Sequence, residues 1–408
     1  MGFTYPYSET VNHLKSSDIR DLMKYAIDPG YISFAGGMPN NHLFPVDEVE
    51  EIYRNLPRDI KERAFQYGPT TGYPPLREAV KHYMESKGIS FDTHDVMITT
   101  GSLQGIYIVS QLFLDPGDTV ITETPSFIGA LTLFKSFQAH TVGVPMDESG
   151  ILPEVLEETF QQFPSAKFLY LIPNFHNPGG LIYSPERRKF VLDFIRRKGL
   201  MLLEDDAYNE LYYEEKDKRL TTPLLSMADA ETSRQIMYAG TFSKIFGPGF
   251  RLGWLILPKE IFSKAEIIKQ SLDACSPNFS QVIADSFMRE GYMESYLERI
   301  RPEYKLRRDK VLEAVKKYFP EGVRYVKPRG GFYLWIELPE GVNAADVLDY
   351  AVSHGVVFVL GRSFSPDESL TSAFRIAYSN VDVDQIEPGI RVIAEGIEQA
   401  MQTAQKPG

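Results

Sequence analysis

Short apolar runs alternate with longer amphipathic stretches between about residues 95 and 257, and this alternation limits the folds open to the chain. The runs have the length and composition of buried strands and occupy residues 96–100, 119–122, 168–172, 200–203, 236–239 and 252–257. Helical spacing appears between them, in residues 103–113, 127–137 and 185–198. Such alternation is typical of a mostly parallel sheet with helices on both faces. We therefore predict an α/β fold.

The C-terminal part of the chain shows a different pattern. Residues 279–318 form a long, charge-rich tract with helical spacing, for which we predict a break near Arg301-Pro302 because proline removes a helix hydrogen bond. Strand candidates follow at residues 331–337, 356–360 and 373–377. We therefore predict a smaller α+β domain at residues 291–408 and a large domain at residues 47–290. An N-terminal segment, residues 1–46, is expected to pack on the small domain.

Charge and cysteine content argue against several classes of protein. The 408 residues carry a formal net charge of -12, whereas a nucleic-acid partner favours a basic face. The one cysteine, Cys275, allows no intrachain disulfide and suits the reducing cytoplasm. No stretch approaches the roughly 18 apolar residues of a membrane span. We therefore expect a cytoplasmic protein that binds neither nucleic acid nor membrane.

Polar residues follow several predicted strands, at the edge where open α/β sheets bind ligands. Ser102 and Leu103 stand where a strand ends and a helix begins, and the free N–H groups of a helix N-terminus suit a phosphate. An ordinary N-cap explains Ser102 equally well. Asn177, in the segment Asn177-Pro178-Gly179-Gly180, either belongs to a turn or supplies an amide that donates to a ligand.

Acidic and basic residues follow the next strands. No histidine or cysteine cluster accompanies the acidic residues 204–206, so we do not expect a metal there. Thr241 and Ser243 precede Lys244, and Arg251 follows seven residues later. A lysine in such a place is normally a surface charge. Two hydroxyls and an arginine beside it are also what phosphate binding next to a reactive lysine requires.

Several of these residues, in their order and spacing, resemble the fold-type I aminotransferases that depend on pyridoxal 5'-phosphate (PLP), of class I/II: Asn177, Asp205, Tyr208, Ser243-Lys244, Arg251 and Arg375. PLP chemistry accounts for the set, because it needs a lysine amine, a carboxylate that keeps the pyridine nitrogen protonated and a cationic cup for the phosphate. The resemblance runs from about residue 19 to the C-terminus. It implies the PLP-dependent transferase fold, with a seven-stranded-type sheet and a smaller α+β domain.

The resemblance also implies the cofactor-binding residues, which are Tyr67, Ser102, Leu103, Phe127, Asn177, Asp205, Tyr208, Thr241, Ser243, Lys244 and Arg251. Lys244 would bind the cofactor covalently and carry a proton during catalysis. Asp205 would pair with the pyridine nitrogen, and Tyr208 and Asn177 would hydrogen-bond the ring oxygen O3'. The phosphate would lie against Ser102, the Leu103 N–H, Thr241, Ser243 and Arg251.

Three further positions carry implications of their own. Tyr67 matches a tyrosine that reaches the phosphate of a neighbouring subunit, which implies a homodimer with shared active sites. Phe127 occupies the place of the aromatic residue stacked on the ring, where a tyrosine is more usual. Leu103 stands where close relatives often carry glutamine. Both departures remove a polar contact and leave the chemical step untouched.

Substrate binding is implied for Arg375, which would hold the α-carboxylate with help from Asn177 and the Gly37 backbone. An ordinary ion-pair arginine is the alternative for Arg375 alone. Residues 32–40 and Leu43-Phe44-Pro45 look most like the 2-aminoadipate/kynurenine aminotransferase group. An N-terminal arginine in that group meets a side-chain carboxylate of the substrate. Arg20 matches it in sequence, although a surface arginine is nearly as good an explanation.

The resemblance implies ping-pong transamination. An L-amino acid (2-aminoadipate, aromatic or kynurenine, glutamate or branched-chain) leaves its amine on the cofactor, and a 2-oxo acid such as 2-oxoglutarate collects it. The same scaffold also supports β-lyases and decarboxylases. A remoter alternative is a PLP-sensing regulatory domain, which in bacterial regulators is joined to a DNA-binding module. We do not expect one, because only about 90 residues precede the first phosphate motif.

Overall fold

A computed structural model describes residues 5–8, 11, 22, 25, 28 and 30–404 of the chain. Its strands are β1 (Ile32–Ser33), β2 (His94–Thr99), β3 (Thr119–Thr124), β4 (His140–Asp147), β5 (Gly150–Ile151), β6 (Phe168–Leu171), β7 (Met201–Asp206), β8 (Ile236–Thr241), β9 (Gly253–Pro258), β10 (Arg324–Tyr325), β11 (Tyr333–Glu337), β12 (Val356–Val357), β13 (Val359–Leu360) and β14 (Ala373–Ala377). Its α-helices are α1 (Val46–Asn55), α2 (Arg58–Ala64), α3 (Pro74–Ser86), α4 (Ser102–Phe113), α5 (Ile128–Ser136), α6 (Pro153–Gln162), α7 (Pro185–Lys198), α8 (Glu215–Lys218), α9 (Leu224–Met227), α10 (Lys259–Asp273), α11 (Asn278–Arg289), α12 (Tyr292–Tyr318), α13 (Ala344–Ser353) and α14 (Val383–Ala404). Short 3-10 helices occupy Asn41–Leu43, Arg219–Thr221, Thr232–Gln235, Pro248–Phe250 and Gly361–Phe364.

The large sheet has the strand order β2-β9-β8-β7-β6-β3-β4-β5. Strands β8, β7, β6, β3 and β4 are parallel, whereas β9 runs antiparallel to both β2 and β8. The two-residue strand β5 pairs antiparallel with the edge strand β4. The prediction of an α/β fold with a mostly parallel sheet is confirmed, and each of the six apolar runs coincides with a strand. From β3 the chain adds β4 and β5 on one side, whereas from β6 it adds β7, β8 and β9 on the other, so the order of the strands switches between β3 and β6. Open sheets bind ligands at such a switch point.

The second lobe contains a four-stranded antiparallel sheet in the order β10-β11-β14-β13. Helices α12 and α13 pack against α14 beside this sheet. Strand β1 pairs in parallel with β12, so the described N-terminal residues next to the first helix lie against the second lobe. The domain boundaries at residues 46 and 290 stay predictions.

The break predicted near Arg301-Pro302 is wrong. Helix α12 continues through Pro302, and the interruption instead lies at Gly291, whose φ of +83° ends the preceding helix. A proline inside a helix costs about 3 kcal/mol because it removes one hydrogen bond and crowds the preceding turn. Burial of apolar residues on both sides of it, Tyr296, Ile300 and Tyr304 among them, outweighs that cost.

Apart from β4, the strands of the large sheet are almost fully buried between two apolar clusters. Leu202 and Tyr238 belong to the cluster on one face, and Leu203 and Tyr170 to the cluster on the other. Alternation of side chains along each strand produces this division. Within residues 5–8, 11, 22, 25, 28 and 30–404, no helix is both long and apolar enough to span a membrane.

Candidate active site

A cavity of about 340 Å³ opens beside the C-terminal ends of β6, β7 and β8. All of the predicted site residues except Arg20 and Tyr67 line it. Arg20 lies outside the described residues. Tyr67 is 84% exposed on the surface of this single chain. The cavity therefore brings together residues that are far apart in sequence, from Gly37 to Arg375.

Lys244 lies just beyond the C-terminal end of β8 and projects into the cavity. Its Nζ donates to the Gly37 carbonyl oxygen at 3.0 Å and lies 5.8 Å from the centre of the Tyr208 ring. Burial lowers the pKa of Lys244 to about 8, and the positive charges of Arg375 and Arg251 add to the effect. A lysine in this state is partly neutral near physiological pH and is therefore a competent nucleophile and base.

Strand β7 ends in three buried carboxylates, Glu204, Asp205 and Asp206. Asp205 faces the cavity, and its Oδ2 accepts a hydrogen bond of 2.6 Å from the Tyr170 hydroxyl. Its Oδ1 is buried without a hydrogen-bond partner. Burial raises the pKa of Asp205 to about 7, which the Tyr170 hydrogen bond only partly offsets. An unpartnered carboxylate oxygen of this kind fits a cationic N–H group.

Hydroxyl groups and a helix N-terminus form the anion-binding end of the cavity. Helix α4 begins at Ser102, after Gly101 with a φ of +86°, so its first N–H groups are free to bind an anion. Thr241 Oγ1 donates to Ser243 Oγ at 3.0 Å across the same wall. Arg251, whose backbone has the left-handed conformation, completes this wall. Its guanidinium lies close to Gly101, since a Cβ at Gly101 would be 3.2 Å from Arg251 Nη2. This arrangement suits a phosphate group.

Arg375 forms the opposite end of the cavity and is 2% exposed. It donates from Nη1 to Asn177 Oδ1 at 3.0 Å and from Nη2 to the Ala35 carbonyl at 2.5 Å, while Nε has no partner. The guanidinium lies between the rings of Tyr333 and Phe364, at 4.5 and 4.9 Å from their centres. No carboxylate of the described residues forms an ion pair with it. Arg375 therefore has donors to spare for an anion.

The family model of aminotransferase class I and II matches residues 39–393. The chain belongs to this family. The aromatic-amino-acid aminotransferase 1 of Thermococcus litoralis is 35% identical over 97% of the chain and 94% of its own length. A kynurenine aminotransferase of Pyrococcus horikoshii, solved in complex with PMP, has a TM-score of 0.92 at 35% identity, with 97% of each chain covered. The α-aminoadipate aminotransferase LysN of Thermus thermophilus, complexed with N-(5'-phosphopyridoxyl)-L-leucine, has a TM-score of 0.87 at 32% identity, covering 97% of this chain and 98% of its own.

The cofactor of this aminotransferase is PLP. The residues present fit it, since the orphaned Oδ1 of Asp205 suits a protonated ring nitrogen and the N-terminus of α4 with Arg251 suits a phosphate. The amine of Lys244 lies in the same cavity and suits the aldehyde of this cofactor. Among the residues that the structure describes, no cluster of His, Cys, Asp and Glu side chains is arranged to hold a metal ion.

The loop that carries Asn177 is held by a buried network that sequence reasoning missed. His176 Nδ1 accepts the Gly179 N–H at 2.9 Å, so its Nε2 carries the proton that faces Glu123 Oε2 at 3.1 Å. Glu123 also accepts hydrogen bonds from the Ile172 N–H and the Tyr183 hydroxyl. Glu123 directly follows the predicted strand 119–122 and lies inside the observed β3, and its charge at the end of this uncharged run was the available signal. His176 is a structural part of the loop in this aminotransferase.

Tyr333 is a second residue of the cavity wall that sequence reasoning missed. It begins β11, and its hydroxyl lies 2.8 Å from that of Tyr208. Its ring also packs against the Gly36-Gly37 segment, because a Cβ at Gly37 would lie only 2.0 Å from Tyr333 Oη. Gly37 is therefore required by this close approach. Nothing in the local sequence distinguishes Tyr333 from any other aromatic residue of a buried strand.

Proposed function

We propose that this PLP-dependent aminotransferase uses Lys244 as its catalytic residue and transfers the amino group of an aromatic L-amino acid, or of 2-aminoadipate, to a 2-oxo acid. The observation that carries the assignment is the position of Lys244 between the two ends of one cavity. Its pKa is lowered to about 8, the orphaned oxygen of Asp205 faces the same space, and Arg375 stands at the far end.

The cofactor, when bound, supplies an electron sink that stabilises the carbanion formed at the substrate's Cα. Asp205 supports this by holding a proton at the ring nitrogen, since its Oδ1 has no other partner. Tyr208 and Asn177 would orient the ring through hydrogen bonds to its oxygen, and Phe127 would pack against the ring. Five groups would hold the phosphate, namely Ser102, the Leu103 N–H, Thr241, Ser243 and Arg251.

Lys244 performs the proton transfers. With cofactor and substrate bound, its amine would be placed to take a proton from the substrate's Cα and to return it. The pKa of about 8 suits both duties, because general acid–base catalysis is most efficient when the pKa of the group lies near the working pH. The positive charges of Arg375 and Arg251 keep this amine from holding its proton too tightly.

Arg375 holds the substrate's α-carboxylate. The unsatisfied Nε and the spare hydrogens of the guanidinium supply two parallel donors, which is the geometry that a carboxylate prefers. Asn177 and the Ala35 carbonyl fix the guanidinium from the other side. The Gly37 backbone lies next to this position and borders the substrate.

The lining supports an aromatic or otherwise apolar side chain on the substrate. Met38 and Tyr333 line the cavity together with Gly36 and Gly37. The cations that line the cavity within the described residues are Lys244, Arg251 and Arg375, and each already has a role. A second carboxylate, as in 2-aminoadipate or glutamate, therefore needs a further cation. We propose Arg20 for that role.

A homodimer is part of the proposal. Tyr67 and Phe65 are 84% and 75% exposed, and the rings of Phe65 and Tyr53 both pack against Phe279. An exposed aromatic group of this size favours association. A second copy over this surface would bring Tyr67 to the phosphate end of the partner's cavity. Sedimentation velocity tests it, with a monomeric wild type as the contrary result.

We also propose a cytoplasmic location, which the lack of any second cysteine beside Cys275 supports. Fractionation of cells that express the chain tests it.

The first experiment is an absorbance titration of the purified protein with single amino acids. A visible band that fades on adding an aromatic amino acid or 2-aminoadipate, and returns with 2-oxoglutarate, establishes transamination and ranks the donors. A band that no donor bleaches contradicts transamination and leads to assays for β-lyase or decarboxylase products. Lys244→Ala is expected to lose both band and turnover, and an active Lys244→Ala variant would overturn the assignment.

A further inference from the structure

The hydroxyls of Tyr208 and Tyr333 form a buried pair at the wall of the cavity. Their oxygens lie 2.8 Å apart, and the two residues are 4% and 2% exposed. Each hydroxyl has only the other as hydrogen-bond partner among the described residues. One of the two protons is therefore used between them, and the other remains available to an acceptor in the cavity.

Strand pairing brings Arg375 to the ring of Tyr333. Trp335 lies opposite Arg375 and Tyr333 opposite Ala377 in the antiparallel pair of β11 and β14, so Tyr333 and Arg375 are diagonal neighbours on one face. The guanidinium carbon sits 4.5 Å from the centre of the Tyr333 ring. A cation in this position stabilises negative charge on the ring's oxygen and makes its hydroxyl a stronger donor.

The direction of the hydrogen bond follows from this asymmetry. Burial raises the pKa of both hydroxyls, and Arg375 counteracts the rise most directly at Tyr333, whose ring it covers. The other charged groups that face the pair are Lys244, 5.8 Å from the centre of the Tyr208 ring, and Asp205, whose charge raises the pKa of Tyr208. Tyr333 is accordingly the better donor, and Tyr208 the acceptor.

We propose that Tyr333 is a positioning residue that acts through Tyr208. Its hydroxyl donates to the Tyr208 oxygen and so leaves the Tyr208 proton directed into the cavity. The Arg375 charge polarises the Tyr333 hydroxyl, and this hydroxyl in turn polarises that of Tyr208. Hydrogen bonds in such a chain polarise and strengthen one another. The inference rests on the proposed function, in which Tyr208 donates to the ring oxygen of the cofactor. Tyr333 thus strengthens Tyr208 as a hydrogen-bond donor in addition to lining the cavity.

The test is a pH titration of the absorbance of the holoenzyme in four forms: wild type, Tyr333→Phe, Tyr208→Phe and the double variant. A weaker donor at the ring oxygen stabilises its negative charge less, so the protonated form of the bound cofactor persists to higher pH. Tyr333→Phe is expected to raise the pH midpoint of this absorbance titration by roughly half a unit. A shift of this size corresponds to a fraction of the free energy of one hydrogen bond. Tyr208→Phe is expected to raise it further, and the double variant to equal Tyr208→Phe.

Tyr378→Phe is the matched control. Tyr378 belongs to a second buried tyrosine pair, with Tyr213 at 3.2 Å, that does not line the cavity. Its substitution removes a buried hydroxyl from the same lobe and is expected to leave the midpoint unchanged. Phenylalanine at position 333 keeps the ring beneath Arg375, so the KM for the amino donor is expected to stay within about twofold while kcat falls.

Three results would overturn the proposal. One is a wild-type midpoint in Tyr333→Phe, and another is an equal shift in Tyr378→Phe. The third is a double variant whose shift equals the sum of the single shifts, since Tyr333 would then act independently of Tyr208. If even the wild type with added PLP showed no band, the proposed function would fail and the relay with it. A normal wild-type band that Tyr333→Phe leaves unmoved would refute the relay alone.

Discussion

Strand β7 separates two buried polar regions that are built from the same residue types. The closed region consists of Arg188, Asn174, Glu204 and Asp206, and the open region of Arg375, Asn177 and Asp205. Side chains alternate along a strand, so Glu204 and Asp206 face one side of the sheet and Asp205 the other. The two asparagines come from one loop, and each accepts a hydrogen bond from its region's arginine.

The closed region satisfies its arginine. Arg188 donates to the carbonyl oxygens of Tyr183, Thr222 and Pro173 and to Asn174 Oδ1, and all three of its guanidinium nitrogens take part. Burial lowers its pKa, and the nearby carboxylates of Glu204 and Asp206 counteract this. Arg375 is equally buried, yet it retains an unpaired Nε and no described carboxylate faces it. The comparison teaches that spare donors, rather than burial, distinguish a binding arginine from a structural one.

Substitution of Arg375 is expected to have the largest effect. Arg375→Ala removes two charge-assisted hydrogen bonds to the substrate carboxylate, together worth about 4 kcal/mol, so kcat/KM is expected to fall roughly 10³-fold. The free energy of unfolding is expected to change by no more than about 1 kcal/mol, because the loss of two hydrogen bonds and two ring contacts is offset by the removal of a buried charge that no carboxylate pairs. Steady-state kinetics and urea unfolding measure the two quantities. If Arg375→Ala lowered the free energy of unfolding without lowering activity, Arg375 would be a structural arginine like Arg188, and the two regions would not differ in role.

Arg188→Met should show the reverse pattern. Removing a buried arginine leaves Asn174 and several carbonyls without donors and the carboxylates of Glu204 and Asp206 without their cation. The free energy of unfolding is expected to fall by about 3 kcal/mol. The KM for the amino donor, measured on protein that remains folded, is expected to change less than about threefold. A large rise in this KM would place Arg188 in the substrate site after all.

The pH dependence of stability sharpens the comparison for the acids. Burial raises the pKa of Asp205 to about 7, so the folded, cofactor-free chain binds a proton that the unfolded chain has released above about pH 4. The free energy of unfolding therefore falls as pH rises from about 4 to 7. Asp205→Asn is expected to flatten this slope and to raise the free energy of unfolding at pH 8 by about 1–3 kcal/mol.

Asp206→Asn provides the control for this experiment. Burial also raises the pKa of Asp206, to about 6, and its Oδ1, like that of Asp205, has no hydrogen-bond partner. Its Oδ2, however, accepts two hydrogen bonds, from the Tyr238 hydroxyl and the Asn209 amide, where that of Asp205 accepts one. We expect a smaller gain or a loss of stability, since these hydrogen bonds are weakened. Chemical denaturation of the cofactor-free variants across this pH range is the measurement. Equal gains in the free energy of unfolding from the two variants would show that the fold stabilises the Asp205 carboxylate no less than that of Asp206.

The two asparagines offer the smallest and finest contrast. Asn177→Ala removes one hydrogen bond to Arg375 and is expected to lower kcat/KM about tenfold with little change in stability. Asn174→Ala removes the bond to Arg188 and one to the Thr221 carbonyl, and is expected to cost about 1–2 kcal/mol of stability. Kinetics and denaturation of both variants, measured side by side, decide the matter. Similar effects of the two substitutions would mean that the loop acts as one unit.

The sequence predicted the fold best where strands are buried on both faces. The runs that became β6 and β8 are wholly apolar or nearly so and fully buried. Strand β4 was missed because it lies near the sheet's edge, is half exposed and contains Gly143 and Pro145, which disfavour strands. The helix through Pro302 was missed because tertiary packing outweighs a local signal.

The site was predictable to the extent that its residues follow strands in a recognisable order. Lys244, Asp205 and Asn177 stand at the ends of β8, β7 and β6, where the topology itself gathers them. Tyr333 and Tyr170 could not be found in this way, because their partners are set by strand register. The pairing of β6 with β7 places Tyr170 diagonally opposite Asp205, whose Oδ2 its hydroxyl meets. The pairing of β11 with β14 brings Arg375 to the Tyr333 ring, but the hydroxyl of Tyr333 meets Tyr208, which lies outside both strands.

The close approach of Gly37 to Tyr333 limits how this cavity can evolve. A methyl group at position 37 would lie 2.0 Å from the Tyr333 oxygen and 2.5 and 2.6 Å from two ring carbons, so even phenylalanine at 333 leaves no space for it. The two positions can therefore diverge only together, and single substitutions at Gly37 are expected to be selected against. Met38 and Leu103, each 41% exposed at the rim, are free of this restraint. Substitutions at these rim residues are thus the easiest way, in evolution or in a designed library, to change which substrates the cavity accepts.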